Sequence, residues 1–473
     1  MIAGRGVANA LVAAADVPLV HDGDTWRLGA ELDAAIAWLA TELRGRVGEG
    51  GRIGIQAWNS AETLVAHLAA ERAGLTRVSV DPSAPAPETA AIREAAGLDT
   101  MVVDDEHAGS GTNEFVLSSK LWEIDAPHTD VVDVDPDDTA CQIVRSVTAQ
   151  GLLAIPISYG NWAAHMALAD RLWRSGVYGP TDQPRCYLTV QQMMYGTGLV
   201  GTFPFLEAGW PQVVLRTFDP GAVLDVATRF EVSASFMVPG MITRLVEKAP
   251  RGVPDWRVHV LYGGAPFPLQ EMRAAITTFG PRFTQLYGRV EGGWPITRLD
   301  GADHARIGEG DDELATTCGR VVDGVEVDLR DVGDGRRELR VRSGCVSPAF
   351  RDPDGWCSLG DVVTVDEQGY LDLLGRVDGM INTGSFHVYP DEVVAAILTA
   401  YPAAVSAEVG AEPDPRWGQA VAATVEWEAG TVPPSDTEFR SHLAERLAKY
   451  KVPRVVRHRV GQQRANSHPT RPQ

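Results

Sequence analysis

Short apolar runs of strand length alternate with amphipathic stretches of helix length along most of this 473-residue chain. That alternation constrains the fold more than any other feature, because strand–helix–strand repeats bury their apolar faces by forming parallel sheets covered with helices. The spacing predicts strand 52–56, helix 61–73, strand 78–80, helix 88–96 and strand 100–103. The pattern returns as strand 212–215, helix 221–230, strand 234–238, helix 241–248, strand 258–263, helix 268–279 and strand 283–287. After about Gly319 the texture changes. Short runs at 324–329, 337–341, 362–366 and 370–374, separated by Gly, Asp and Pro, predict hairpins or a small barrel. Beyond Gly375 an α/β pattern resumes, with helix 391–399, strands 405–410 and 420–427, and helix 436–447.

Charge narrows the function classes. The chain has 42 Lys+Arg against 63 Asp+Glu, a net charge of −21. Such a surface repels phosphate backbones and anionic lipid, so neither nucleic acid nor membrane is an expected partner. Only four of the basic residues are lysine: Lys120, Lys248, Lys449 and Lys451. No long uncharged apolar run predicts a membrane span. The small apolar residues near the N-terminus predict a surface helix rather than a signal peptide, since Asp16 interrupts them. Five widely spaced cysteines without a CxxC point to a reducing, cytoplasmic setting and to buried thiols. Lys449 and Lys451 fall in the stretch Ala448-Lys-Tyr-Lys-Val-Pro453, read as a helix end that they cap or solvate.

Four loops carry chemistry. Leu261-Tyr-Gly-Gly-Ala-Pro266 follows a predicted strand, where paired glycines let a backbone approach a flat ligand or phosphate. Gln285-Leu-Tyr-Gly-Arg-Val-Glu291 offers an aromatic ring and a carboxylate able to meet Mg²⁺. Leu359-Gly-Asp361, read as a turn before a hairpin, supplies a carboxylate for two ribose hydroxyls, and Gly375-Arg-Val-Asp378 an arginine fork for phosphate. Taken singly, each loop is equally an ordinary turn. Glu291 alone reads as a solvated acid, and Glu392 as a first-turn acid complementing a helix dipole.

In order and spacing, these segments resemble the adenylate-forming superfamily of acyl-CoA synthetases, peptide-synthetase adenylation domains and luciferases. The resemblance runs nearly end to end, through Arg52–Asp104, Phe205–Gly209, Val238-Pro239, and the continuous stretch Gly375–Glu392. It implies an α/β fold with a large N-terminal domain of stacked αβ sheets plus a small barrel, residues 1–377, and a small mobile C-terminal α+β lid, residues 378–473, hinged at Asp378. It implies that Gly264, Ala265 and Pro266 border an adenine and that Tyr287, with Gly288 beside it, stacks on it. Glu291 would hold Mg²⁺, Asp361 the ribose and Arg376 ribose or phosphate. Ser146 and Thr148 would belong to a phosphate loop, and Gly384 would lie beside a pantetheine tunnel. Tyr195, Met237, Gly263 and Trp294 would wall an acyl pocket of apolar or aromatic character. The implied ligands are ATP or AMP, Mg²⁺, and CoA or a carrier pantetheine. The implied partners are a carboxylic acid or acyl thioester and an acyl-carrier-protein or amine acceptor.

Two segments depart from the family pattern. Where the phosphate loop has glycines and a lysine, this chain has Val144-Arg-Ser-Val-Thr-Ala-Gln-Gly-Leu-Leu-Ala154, with Val147, Gln150 and Leu153 in their places. β-Branched and bulky residues resist the turns that aim N–H groups at phosphates. Near the C-terminus, Ser467 and His468 stand where the family has Gly-Lys. His468 is then the catalytic candidate, although a neutral imidazole is a weaker substitute for a permanent cation. Three functions follow: an ATP-dependent acid–thiol or acid–amide ligase, a homologue that handles pre-activated acyl groups without ATP, and a non-catalytic binding protein.

Overall fold

A computed structural model describes residues 3–460 except 110, 112, 149, 150, 180–185, 195, 250–252, 254, 266, 332–336, 377–379, 385 and 429. At 3, 4, 145–148, 151–153, 200, 375 and 391 it describes the backbone alone.

Three sheets organise the chain. In the largest, strands Phe283–Arg289, His259–Gly263, Ala234–Met237, Tyr187–Thr189, Gln212–Val214 and Pro18–His21 run parallel. The second sheet joins Glu114–Val116, Thr100–Val103, Arg52–Gln56, Thr76–Ser79 and Thr139–Thr148 in parallel, and closes with Gly151–Ser158 antiparallel. The third is built from strands after residue 380: Ile381–Thr383, Phe386–Val388, Ala404–Asp414, Gly418–Trp427 and Val455–Val460. Five of the described helices start where side chains satisfy free N–H groups. Ser60, Ser158, Asp219, Asp300 and Ser435 each accept a backbone N–H from the first turn that follows.

The short strands after Thr317 pair as antiparallel hairpins and continue the large sheet in the order Thr317–Val321, Tyr370–Arg376, Cys357–Val365, Arg337–Arg342 and Glu326–Asp331. The last of these pairs on one side only among the described residues. This extension curls around its own core of Ile296, Leu339, Val341, Val346, Leu359 and Val363. The N-terminal helix, Ala3–Ala13, is not merely superficial, because Val7 and Leu11 are buried. All five cysteines are buried free thiols. No described helix is long and apolar enough to cross a membrane.

Candidate functional site

The expected ribose-binding carboxylate sits within a strand rather than in a turn before a hairpin. Asp361 belongs to Cys357–Val365 and lies directly opposite Arg376 of Tyr370–Arg376 in the antiparallel register. Pairing across a ladder brings side chains on one face together. The Arg376 Nη1 donates to Asp361 Oδ1 at 2.7 Å and to the Leu359 carbonyl at 3.1 Å. From the end of strand Phe283–Arg289, the Tyr287 hydroxyl donates to Asp361 Oδ2 at 2.6 Å. Burial, then the adjacent Asp361 charge, push the Tyr287 hydroxyl well above its ordinary pKa, so it donates as a neutral group.

Glu291 is buried, not solvated, at 8% exposure. Its Oε1 accepts from Arg289 Nε at 3.2 Å and Nη2 at 3.0 Å. Arg289 is itself 5% exposed, and its Nη1 stands 3.7 Å from Asp361 Oδ1. Burial acts to lower the Arg289 pKa, but the Glu291 and Asp361 carboxylates more than offset it, and the guanidinium stays charged. The result is a buried cluster of two carboxylates, two guanidiniums and a phenol.

The neighbouring glycines have separate reasons. A Cβ at Gly263 would meet the Leu286 carbonyl oxygen at 2.1 Å, so glycine is needed where two parallel strands approach. Gly264 has φ +82°, in the left-handed region that favours glycine. Ala265 follows in the same bend. A Cβ at Gly288 would lie 2.7 Å from the Trp294 ring, which packs on this end of strand Phe283–Arg289.

Trp294 also meets Phe236 edge-to-face, with ring centroids 5.4 Å apart. The two rings, with Trp173, Tyr178, Tyr187 and Leu261, line a cavity of about 10 Å³, room for roughly one water. Met237 does not line this cavity. Strand residues alternate faces. Met237 is fully buried with Leu188, Val190 and Tyr262 on one side, while Phe236 faces the aromatic cluster on the other.

The expected phosphate loop is a hairpin. Strands Thr139–Thr148 and Gly151–Ser158 pair from Thr139↔Ser158 to Thr148↔Gly151, with Ser146 opposite Leu153. Ser146 and Thr148 therefore lie in a ladder, and only residues 149 and 150 connect its arms. The expectations for Pro266, Tyr195, Asp378 and His468 lie outside the described residues.

Residues after 380 reach the same region. The Met380 sulfur lies 3.7 Å from Arg289 Nη2, and helix Pro390–Ala400 comes against strand Thr139–Thr148. Gly384 has φ +63° and carries the Trp417 ring over its α-carbon, 2.8 Å from where a Cβ would project. Lys451 corrects the reading of its segment: it neither caps nor solvates a helix. It is 3% exposed, and its Nζ donates at 2.7 Å both to Glu88 of helix Ala86–Ala96 and to Glu392 of helix Pro390–Ala400. Glu392 is accordingly an ion-pair partner as well as a first-turn acid. Arg289, Phe236, Glu88 and Lys451 were not singled out as functional from sequence. Only Arg289, two residues before Glu291, carried a local signal.

Asp361, Arg376 and Tyr287 form a donor–acceptor set suited to a ribose and its phosphate. A divalent ion at Glu291 fits less well. The Oε1 it would use is held by Arg289, and no group of three or more His, Cys, Asp or Glu that could hold a metal occurs among the described residues. Comparison with known proteins agrees with the nucleotide reading. A model of the AMP-binding enzyme family matches residues 8–346, and one of the AMP-binding enzyme C-terminal domain matches 394–464. A feruloyl-CoA synthase from Amycolatopsis sp is 28% identical over 92% of this chain and 91% of its own. Among solved structures, a double mutant of o-succinylbenzoate CoA synthetase from Bacillus subtilis, bound to the product analogue OSB-NCoA, superposes with TM-score 0.81. It is 22% identical, over 96% of this chain and 93% of that one. The same synthetase with its acyl-adenylate intermediate OSB-AMP gives TM-score 0.67, at 23% identity over 95% and 94%. The chain belongs to the AMP-binding enzyme family and is an enzyme of the acyl-CoA ligase kind.

Proposed function

We propose that this protein activates a small carboxylic acid as its acyl-adenylate and passes the acyl group to a thiol, CoA or a carrier pantetheine. The observation that carries this reading is the buried Tyr287–Asp361–Arg376 cluster, which offers a ribose acceptor, a phosphate-directed cation and an aromatic ring together. The part beginning near Asp378 would act as the lid. Its placement supports the transfer step. The same relative covers nearly the same share of this chain in both complexes, yet superposes better as the thioester-product complex than as the acyl-adenylate complex. A second reading, in which the acyl group arrives already activated, is favoured by the Thr139–Ser158 hairpin standing where a phosphate loop is expected.

Pyrophosphate exchange with ATP and a panel of short acids separates the two. Acid-stimulated exchange is the result expected of the first. No exchange across the panel, with turnover of synthetic acyl-adenylates by CoA, would replace it with the second.

On this reading Trp294, which closes the cavity beside Gly288 together with Phe236, is the candidate limiter of acyl size. Trp294→Gly is expected to raise kcat/KM for medium-chain relative to short-chain acyl groups by roughly 10-fold or more, at the discrimination available per methylene. An unchanged chain-length profile would show that this cavity does not receive the acyl group.

A further inference from the structure

We propose that the Arg289 guanidinium is a built-in replacement for a divalent metal at the Glu291 carboxylate, so that this site takes an adenylate without a metal ion there. The inference rests on the adenylate-binding reading and goes beyond it. Its geometry is local. Arg289 ends strand Phe283–Arg289 and Glu291 lies two residues on, in the turn that follows, where the chain leaving the sheet brings the two side chains into contact. Two guanidinium nitrogens, Nε and Nη2, converge on the one oxygen Oε1, while Nη1 faces Asp361. Among the described residues the charges are matched, with Arg289 and Arg376 against Glu291 and Asp361.

Mg²⁺ binds oxygens at about 2.0–2.1 Å and keeps a strict octahedral shell. At Glu291 Oε1 it would have to displace a guanidinium whose nitrogens stand 3.0 and 3.2 Å from that oxygen. The displaced cation would then remain buried within a few ångströms of a dication, and a buried arginine cannot relieve that repulsion by losing its proton. Arginine also supplies what the metal would: a permanent positive charge with directed donors beside the carboxylates.

The test uses the full chain with AMP and Mn²⁺ as the spectroscopic stand-in for Mg²⁺. Electron paramagnetic resonance is expected to show no protein-bound Mn²⁺ in the wild type or in Arg289→Lys, and one bound ion in Arg289→Gln. Calorimetric AMP affinity of the wild type is expected to change less than about twofold between Mg²⁺ and EDTA. Mn²⁺ bound by the wild type and lost in Glu291→Gln overturns the proposal. So does the absence of bound Mn²⁺ from folded Arg289→Gln. If Arg289→Gln does not fold, tenfold tighter AMP binding by the wild type in Mg²⁺ overturns it alone. A wild type that binds no AMP in either condition overturns the adenylate reading as well, which separates that failure from the others.

Discussion

Asp361→Ala is expected to abolish most adenylate binding and lower acyl turnover by roughly 10²–10³-fold, the cost typical of removing a preorganised polar contact from a closed site. The carboxylate accepts from Arg376 and Tyr287 and lies beside Arg289, with its side chain 2% exposed. Its loss leaves buried guanidiniums without their counter-charge, and breaking a buried pair from one side costs about 3–5 kcal/mol. Urea unfolding and AMP calorimetry should therefore both register the change. Asp361→Asn separates shape from charge: it keeps the volume but loses the ion pairs and should still bind AMP poorly. Wild-type affinity and stability in the asparagine variant would mean that the cluster is neither the nucleotide site nor a major stabilising feature.

Lys451→Met is expected to loosen the C-terminal part from the rest of the chain. Nζ bridges glutamates on two helices nearly 300 residues apart in sequence, and Glu88 also accepts the Ala448 backbone N–H at 2.9 Å. Removing the ammonium leaves two buried carboxylates facing one another, at a cost of about 3–5 kcal/mol. Because the bridge spans two sheets, much of that cost should emerge as separation of the parts, seen as faster proteolysis near 377–380 and a lower first melting transition. The pH dependence has a definite sign. Burial acts to lower the Lys451 pKa, but Tyr450, Glu392 and Glu88 drive it above the ordinary lysine value. The stabilisation is then complete below the unfolded lysine pKa, about 10.4, and is lost only as pH rises beyond it. Stability should be flat near neutrality in this respect. Unaltered proteolysis and melting in Lys451→Met would remove the bridge from the account of how the parts are held.

The parallel core was legible because strand and helix periods differ, and His259–Gly263 and Phe283–Arg289 fall where alternation places them. The loops were legible as a series: Tyr287, Asp361 and Arg376 are joined by hydrogen bonds, and Arg289 links Glu291 to Asp361. What the sequence hid was partnership across distance. Nothing near Lys451 announces Glu88, so a lysine after a helix reads as a solvated cap until the chain folds back on it. The face presented by Met237 or Phe236 was equally hidden, since a short strand buried on both sides carries no clear alternation to reveal which residue looks where. The hairpin was concealed differently. Val147 and Gln150 argued against glycine-dependent turns, but not that the segment would instead pair Ser146 with Leu153.

That hairpin bears on how this protein stands in sequence space relative to other AMP-binding enzymes. A flexible loop can regain a missing cation by one substitution, because its backbone is already free to follow the ligand. Here the strand arms satisfy one another through successive rungs up to Thr148 and Gly151, and a phosphate grip would first require those rungs to open. If the chain adenylates, the terminal rungs at Thr148 and Gly151 are the part of the hairpin that has to give way, and substitutions that tighten or loosen them should shift ATP affinity before they shift anything else.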